Sequence, residues 1–250
     1  MKNLKDEKAA FGFSATFTKQ GADIMTSEEF LDFYIKQGCM FGWYFLYIPI
    51  GKLPNIELMA TPEQRDQERK FVHSIRFKKP IFIGDFWNDG PFVSGCMAGG
   101  RNYCHIICTG DVEPCVFCHF AVDNVKEKSL KEIFKSPFFK AIRKEYPYDK
   151  KNKNLLTPCM VIDQPEVFRK VVKEHKAKPS HVGSESIVTD PKITAHLDNY
   201  AKEYHKLADP VWEKEYLNNP NNKWYKEGKH WKKLGSKEDA NEYEPKESRA

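Results

Sequence analysis

Cysteine is the residue type whose placement in this 250-residue chain could do chemistry. Gly95-Cys96-Met-Ala-Gly-Gly100 is followed by Gly110-Asp-Val-Glu-Pro-Cys115-Val-Phe-Cys118 and, much later, by Thr157-Pro-Cys159. The count is Cys-x13-Gly-x4-Cys-x2-Cys with a distant fourth cysteine. A Cys-x2-Cys pair lets two thiolates reach one metal centre from a single turn. The long gaps let flanking elements fold around that centre and deliver the remaining ligands. Glycines beside ligands let backbone come close to a cluster. Cys96, Cys115, Cys118 and Cys159 are therefore candidate ligands of an iron–sulfur cluster. Structural zinc takes the same four thiolates, so spacing alone leaves zinc open as the alternative. Plain burial is the third reading, free cysteine being among the most buried residue types.

The chain has 7 cysteines, so an odd one lies outside any set of four. Cys104 and Cys108, four apart, are read as packing residues, with an alternative role as ligands; Cys39, beside Gly38, is read as core. Met1 to Ala10 is charged and has no apolar h-region, so no signal peptide is expected and the chain is expected to be cytoplasmic. In a reducing compartment thiols stay free, and a disulfide framework is not the reason for this cysteine content. The longest uncharged apolar stretch, Gly38 to Gly51, is too short to span a bilayer, and no membrane partner is expected. With 40 basic and 35 acidic residues, a formal charge of +5 creates no strong field toward nucleic acid or membrane.

The elements that must position these residues fall into a regular order. Phe11 to Phe17 is β-prone. Thr26-Ser-Glu-Glu29 has capping-box spacing ahead of Phe30, Leu31, Tyr34 and Ile35 at helical spacing, and Gly38 ends that helix. Trp43 to Ile48 is a continuous apolar run of the kind buried on both faces of a parallel sheet. Thr61 caps a second helix with Pro62 at its first position and Gln64 three residues on, and Pro80 to Ile83 reads as a further strand. Residues 1–90 are thus β-α-β-α-β, and three parallel strands alone leave open edges. From residue 91 to 180 the texture changes to glycine, cysteine and short β runs. His105 to Cys108 turns through Thr109-Gly110-Asp111 into Val112, Ser129-Leu-Lys-Glu132 is another capping box, and Asp163 to Glu166 starts one more helix. Residues 181–250 form a polar helical extension with starts expected at Asp190-Pro191 and Asp209-Pro210 and aromatic anchors at Tyr200, Tyr204, Trp212 and Tyr216. From Gly235 on, the chain is expected to be disordered.

Gly95-Cys96 through His105-Ile106, Gly110 to Cys115, and Asn124-Val125 to Ile133 resemble the SPASM/twitch region of radical S-adenosylmethionine (radical SAM) enzymes. Phe11 to Phe17 and Trp43 to Gly51 resemble the fifth and sixth strands of the radical SAM partial barrel, so the resemblance covers residues 10 to 180. It implies a fold class: an α/β partial (β/α) barrel fragment, then a small cysteine-rich α+β domain, then the helical extension. It also implies an auxiliary [4Fe-4S] cluster, with Cys96, Cys115 and Cys159 at matching ligand positions and Cys118 as the natural fourth. A longer run, Cys-x2-Cys-x5-Cys-x3-Cys, has no counterpart between Cys118 and Cys159, which implies one cluster rather than two.

The resemblance also defines what the sequence lacks. The Cys-x3-Cys-x2-Cys motif that holds the SAM-cleaving cluster does not occur: Cys104-x3-Cys108 begins it, but the third position is Asp111. Cleavage of S-adenosylmethionine is therefore expected only in an enzyme completed by an N-terminal radical SAM half, fused or separate. Ser14 and Ile48 would border the cofactor pocket in such an enzyme, although inward barrel residues of this type more often pack. Asp85 and Asp89, after the third strand, would face a substrate, or else form an aspartate-rich turn over Trp87. His105 would tune the cluster, or be a satisfied core group. The basic and aromatic stretch from Trp212 to Lys233 is read as a solvated helical face rather than a nucleic-acid site.

Overall fold

The computed structural model describes residues 1–145 and 154–219. The charged end from Gly235 and the later part of the Trp212 to Lys233 stretch lie outside the described residues. The fold is mixed α/β. Strand β1 (Gly12–Phe17), helix α1 (Glu28–Lys36), β2 (Phe41–Leu46), helix α2 (Pro62–Ile75) and β3 (Phe82–Asp85) follow in order, and the strands form a parallel sheet in the order β1-β2-β3. The register sets Phe13 against Gly42 and Tyr44 against Asp85.

Alternation along the strands decides which side is covered. Phe13, Phe17, Tyr44, Leu46 and Ile83 share one buried face. Tyr34 of α1 stacks on Phe13 at 4.1 Å between ring centroids, and the Tyr44 hydroxyl donates to the Met25 carbonyl at 2.9 Å. The opposite face is open: Phe41 and Trp43 are each 36% exposed, and Phe82 is 60% exposed. The expectation that the second strand is buried on both faces is thus corrected. Its apolar run is continuous, but among the described residues only one side of the sheet is covered. Gly84 fits here because a Cβ would meet the Trp43 ring at 2.6 Å.

The helix starts follow local chemistry. Thr61 and Gln64 form the reciprocal capping box of α2, with Pro62 in the first turn. At α1 the cap is Ser27 rather than Thr26; Ser27 Oγ accepts from Phe30 N–H, while the Thr26 hydroxyl turns back to the Ala22 carbonyl.

The second half of the chain is built from short pieces. Strands β4 (His105–Ile106) and β5 (Asp111–Glu113) pair antiparallel as the expected hairpin. Strand β6 (Phe120–Ala121) precedes β7 (Asp123–Asn124), which pairs with β5, while β6 pairs with β8 (Lys178–Pro179). Helices α3 (Leu130–Phe134), α4 (Pro137–Glu145) and α5 (Pro165–Glu174) surround them, and Ser129 with Glu132 forms the capping box of α3. Helix α6 (Pro191–Val211) is capped by Asp190, which accepts from Lys192 and Ile193 N–H. It lies against α2 and α5 and buries Ile193, Leu197, Tyr200, Tyr204 and Ala208 along one stripe.

The second helix start expected at Asp209-Pro210 does not occur. Pro210 sits inside α6, and the chain continues as a π-helical turn over Trp212–Leu217. Proline lacks the N–H for the i to i−4 bond and crowds that carbonyl, and a wider turn follows it here.

Candidate metal centre

Three loops bring the cysteines together. The first leaves the sheet through Ser94 and Gly95, both at positive φ, and turns again at Gly99 and Gly100 (φ 70° and 71°). A side chain at Gly100 would collide with Phe134 as well as strain the backbone. Gly99 N–H donates to the Pro114 carbonyl at 2.8 Å, which seats the Cys96 loop against the segment leading to Cys115. The Arg101 guanidinium gathers the carbonyls of Val93, Ser94 and Cys96 at 2.6–3.0 Å and fixes the loop from outside.

The second loop is the turn Cys115-Val-Phe-Cys118, closed by Cys118 N–H donating to the Cys115 carbonyl at 2.8 Å. The third carries Cys159. Asp163 Oδ2 accepts from Cys159 N–H at 2.9 Å, and Asp163 N–H returns a bond to the Cys159 carbonyl at 3.0 Å.

Cys96, Cys115 and Cys159 face a common cavity of about 40 Å³ walled by Trp87, Tyr103, Phe117, Pro158 and Met160. Cys118, fully buried, stands one turn from Cys115 within electrostatic reach of Cys115 and Cys159, but is not part of that cavity wall. Each of the four sulfurs is served by the backbone N–H two residues on. Ala98 points to Cys96 Sγ at 3.5 Å and Phe117 to Cys115 Sγ at 3.4 Å; Phe120 serves Cys118, and Val161, joined by Ile162, serves Cys159.

Burial pushes the thiols up, Cys159 to about 12, and Cys96, Cys115 and Cys118 also rise, because a lone thiolate is poorly solvated there. Inward N–H groups that favour thiolate, in a site that otherwise disfavours it, match a cationic cluster or metal. The donor set fits an iron–sulfur cluster. Among the described residues, no group of three His, Cys, Asp or Glu side chains is arranged to hold a single metal ion.

The other sequence candidates are placed as follows. Ser14 is exposed on the open face of β1, and Ile48 is buried just beyond the end of β2 rather than within the strand. Asp89 is gripped by Arg76 at 2.5–2.7 Å and accepts from Asp85 N–H; Asp85, buried, binds Asn88 through its backbone and side-chain nitrogens. Neither aspartate reaches the cysteine cavity. His105 faces Glu113, with Nδ1 2.6 Å from Oε2, and Glu113 also receives Ser180 and approaches His181. Cys104 is half-buried, Cys108 is exposed and Cys39 is buried in the sheet core. The reading of Cys108 as a packing residue is thereby corrected, since its side of the hairpin faces solvent.

Several residues that shape the site escaped sequence reasoning. Tyr103, whose hydroxyl lies 2.8 Å from Cys115 Sγ, carries no motif of its own. Asp163 was read only as a helix start. Arg65 of α2 reaches across to it, with Nη1 at 2.5 Å and Nη2 at 3.2 Å, and also donates to the Leu156 carbonyl and to Asn88. An acid four residues after a ligand cysteine was the available signal for Asp163.

Comparison with known proteins agrees with this geometry. Residues 96–161, the segment that carries the three cysteine loops, match the SPASM family, an iron-sulfur cluster-binding domain. All four cysteines fall inside the match. The AdoMet-dependent heme synthase of Oleidesulfovibrio alaskensis is 26% identical over 132 residues, which are 52% of this chain and 31% of that protein. The chain thus spans about a third of the length of this curated relative. Both similarities support a kinship of this chain with radical SAM/SPASM proteins.

Proposed function

We propose that Cys96, Cys115, Cys118 and Cys159 hold one auxiliary [4Fe-4S] cluster, and that this chain is the C-terminal portion of a radical SAM/SPASM oxidoreductase or maturase. The observation that carries this reading is the repeated N–H to sulfur bond at all four cysteines. Such bonds offset the negative charge that iron-bound thiolates retain. A tetrahedral zinc site would gather its sulfurs about 3.8 Å apart around one ion at about 2.3 Å. Three of these cysteines line one cavity, and the similarity of residues 96–161 to an iron-sulfur cluster-binding domain supports iron over zinc. When bound, the cluster supplies one-electron transfer. The chain's own residues hold it, and Trp87, Phe117 and Met160 keep water from it.

In this reading β1 to β3 are one part of a partial barrel, and the open aromatic face is its interior. An N-terminal radical SAM half, fused or separate, covers that face and brings the S-adenosylmethionine chemistry, since the Cys-x3-Cys-x2-Cys motif does not occur here. Ser14, on that face, would border the cofactor pocket, with Ile48 behind it. The bonds made by Asp85 and Asp89 support their role as a structural turn ahead of substrate contact. No described helix is long and apolar enough to cross a membrane, and a cytoplasmic setting suits the free thiols.

Anaerobic reconstitution of the full chain with ferrous iron and sulfide, followed by iron, sulfide and zinc analysis, tests the proposal. A brown protein with equal iron and sulfide is expected. A colourless protein holding one zinc per chain would overturn it.

A further inference from the structure

We infer that Tyr103 tunes the reduction potential of the proposed cluster by donating its phenolic O–H to the sulfur of Cys115. The inference rests on the cluster reading above and extends it to a residue that supplies no ligand. Tyr103 closes the Cys96 loop: its carbonyl accepts from Gly100 N–H at 3.1 Å, and its own N–H donates to Met97 at 3.3 Å. These bonds turn the ring back into the cavity shared by Cys96, Cys115 and Cys159, where the hydroxyl oxygen lies 2.8 Å from Cys115 Sγ.

A free thiol at Cys115 leaves the direction of this bond open. An iron-bound thiolate does not, because it has no proton to give, so the hydroxyl must donate. Cys115 then accepts two bonds, one from Phe117 N–H and one from Tyr103, and only the second is removable by side-chain substitution. Uptake of one electron makes the thiolate sulfurs more negative and strengthens both bonds, so each favours the reduced state and raises the potential. The proton stays on the tyrosine oxygen throughout.

Tyr103→Phe keeps the ring and deletes the donor. In the reconstituted full chain, poised with redox mediators and followed by electron paramagnetic resonance, the variant is expected to keep its iron content. Its equilibrium for one-electron reduction should fall about tenfold, a shift of about 59 mV to more negative potential. Tyr103→3,5-difluorotyrosine, with a more acidic hydroxyl on the same ring, should move the midpoint the other way. Equal midpoints in all three proteins at full iron content would overturn the inference and leave the cluster reading intact. Loss of iron in Tyr103→Phe would overturn it too, by showing a scaffold or ligand role. A wild-type chain that takes up no iron would remove the cluster reading itself.

Discussion

A buried thiol with no cation beside it stays protonated, and a buried thiolate needs both a cation and hydrogen-bond donors. The four cysteines have the donors, which is why truncating one is costly in two ways. Cys115→Ala is expected to lower iron content and thermal stability together, because the ligand set is organised only in the folded state and cluster binding feeds back on folding. Iron analysis and a thermal melt on the same sample check this, and full iron occupancy would remove Cys115 from the ligand set. Cys108→Ala serves as the contrast. Its thiol is exposed on the hairpin, so iron content should be unchanged and stability should move by no more than about 0.5 kcal/mol. At this scale the meeting of Cys96, Cys115 and Cys159 at one cavity was legible because their spacing marks them as a set. Tyr103 and Arg101 were not, because a tyrosine or arginine near glycines has no periodic or spacing signature until the turns at Gly99 and Gly100 set its direction.

Helix α2 does more than cover the sheet. Arg65, fully buried, sits between the Asp163 carboxylate, the Leu156 carbonyl and the ring of Tyr204, whose centroid is 3.7 Å away. It ties the sheet half, the Cys159 loop and α6 into one unit. Asp163→Ala strips the guanidinium of its partner in a dry site and should cost about 3–5 kcal/mol in a urea titration. It also frees Cys159 N–H, so iron content should fall in parallel. The same helix carries His73, whose Nε2 finds no partner and whose ring packs edge-on to Phe92. Burial, with Arg76 and Arg69 nearby, pushes its pKa down to about 4. A histidine depressed in the folded state adds stability above its unfolded value near 6.5, and that stability is lost as pH falls through 4. The loss amounts to about 3 kcal/mol. Asp85, raised to about 6 by burial and by Asp89, works the opposite way, its protonation favouring the fold as pH falls over that range. The wild type therefore hides the histidine. His73→Leu should gain on the wild type by about 2–3 kcal/mol between pH 7 and pH 4, read by urea titrations at both, and a pH-independent difference would refute the assignment. Such inter-element contacts were invisible in the sequence, whereas the capping boxes at Thr61 and Ser129 were plain because they are local. The succession of strands and helices along residues 1–90 was legible for the same reason. Pro210 misled because proline marks a helix start only where the preceding turn is free to end, and here the packed stripe from Ile193 to Ala208 carries the helix past it.

For the whole molecule, the asymmetry of the three-stranded sheet matters most. One face is closed by aromatic stacking onto α1, and the other presents Phe41, Trp43 and Phe82, with the Trp43 ring packed against those of Phe82 and Phe45. Phe45 and Phe86 then continue the aromatic row to Phe117 at the cysteine cavity. An apolar face of this kind is costly to leave in water and marks a surface to be covered. If it is the interior of a barrel completed by another segment, its side chains contribute little to the stability of this chain alone. Phe82→Lys, at the most exposed of these positions, should then change stability in urea by no more than about 0.5 kcal/mol, leave iron content unchanged and lower binding of an apolar fluorescent dye. A loss above about 2 kcal/mol would mean that the face is already closed within the chain, and the reading of the sheet as an open part of a barrel would fall.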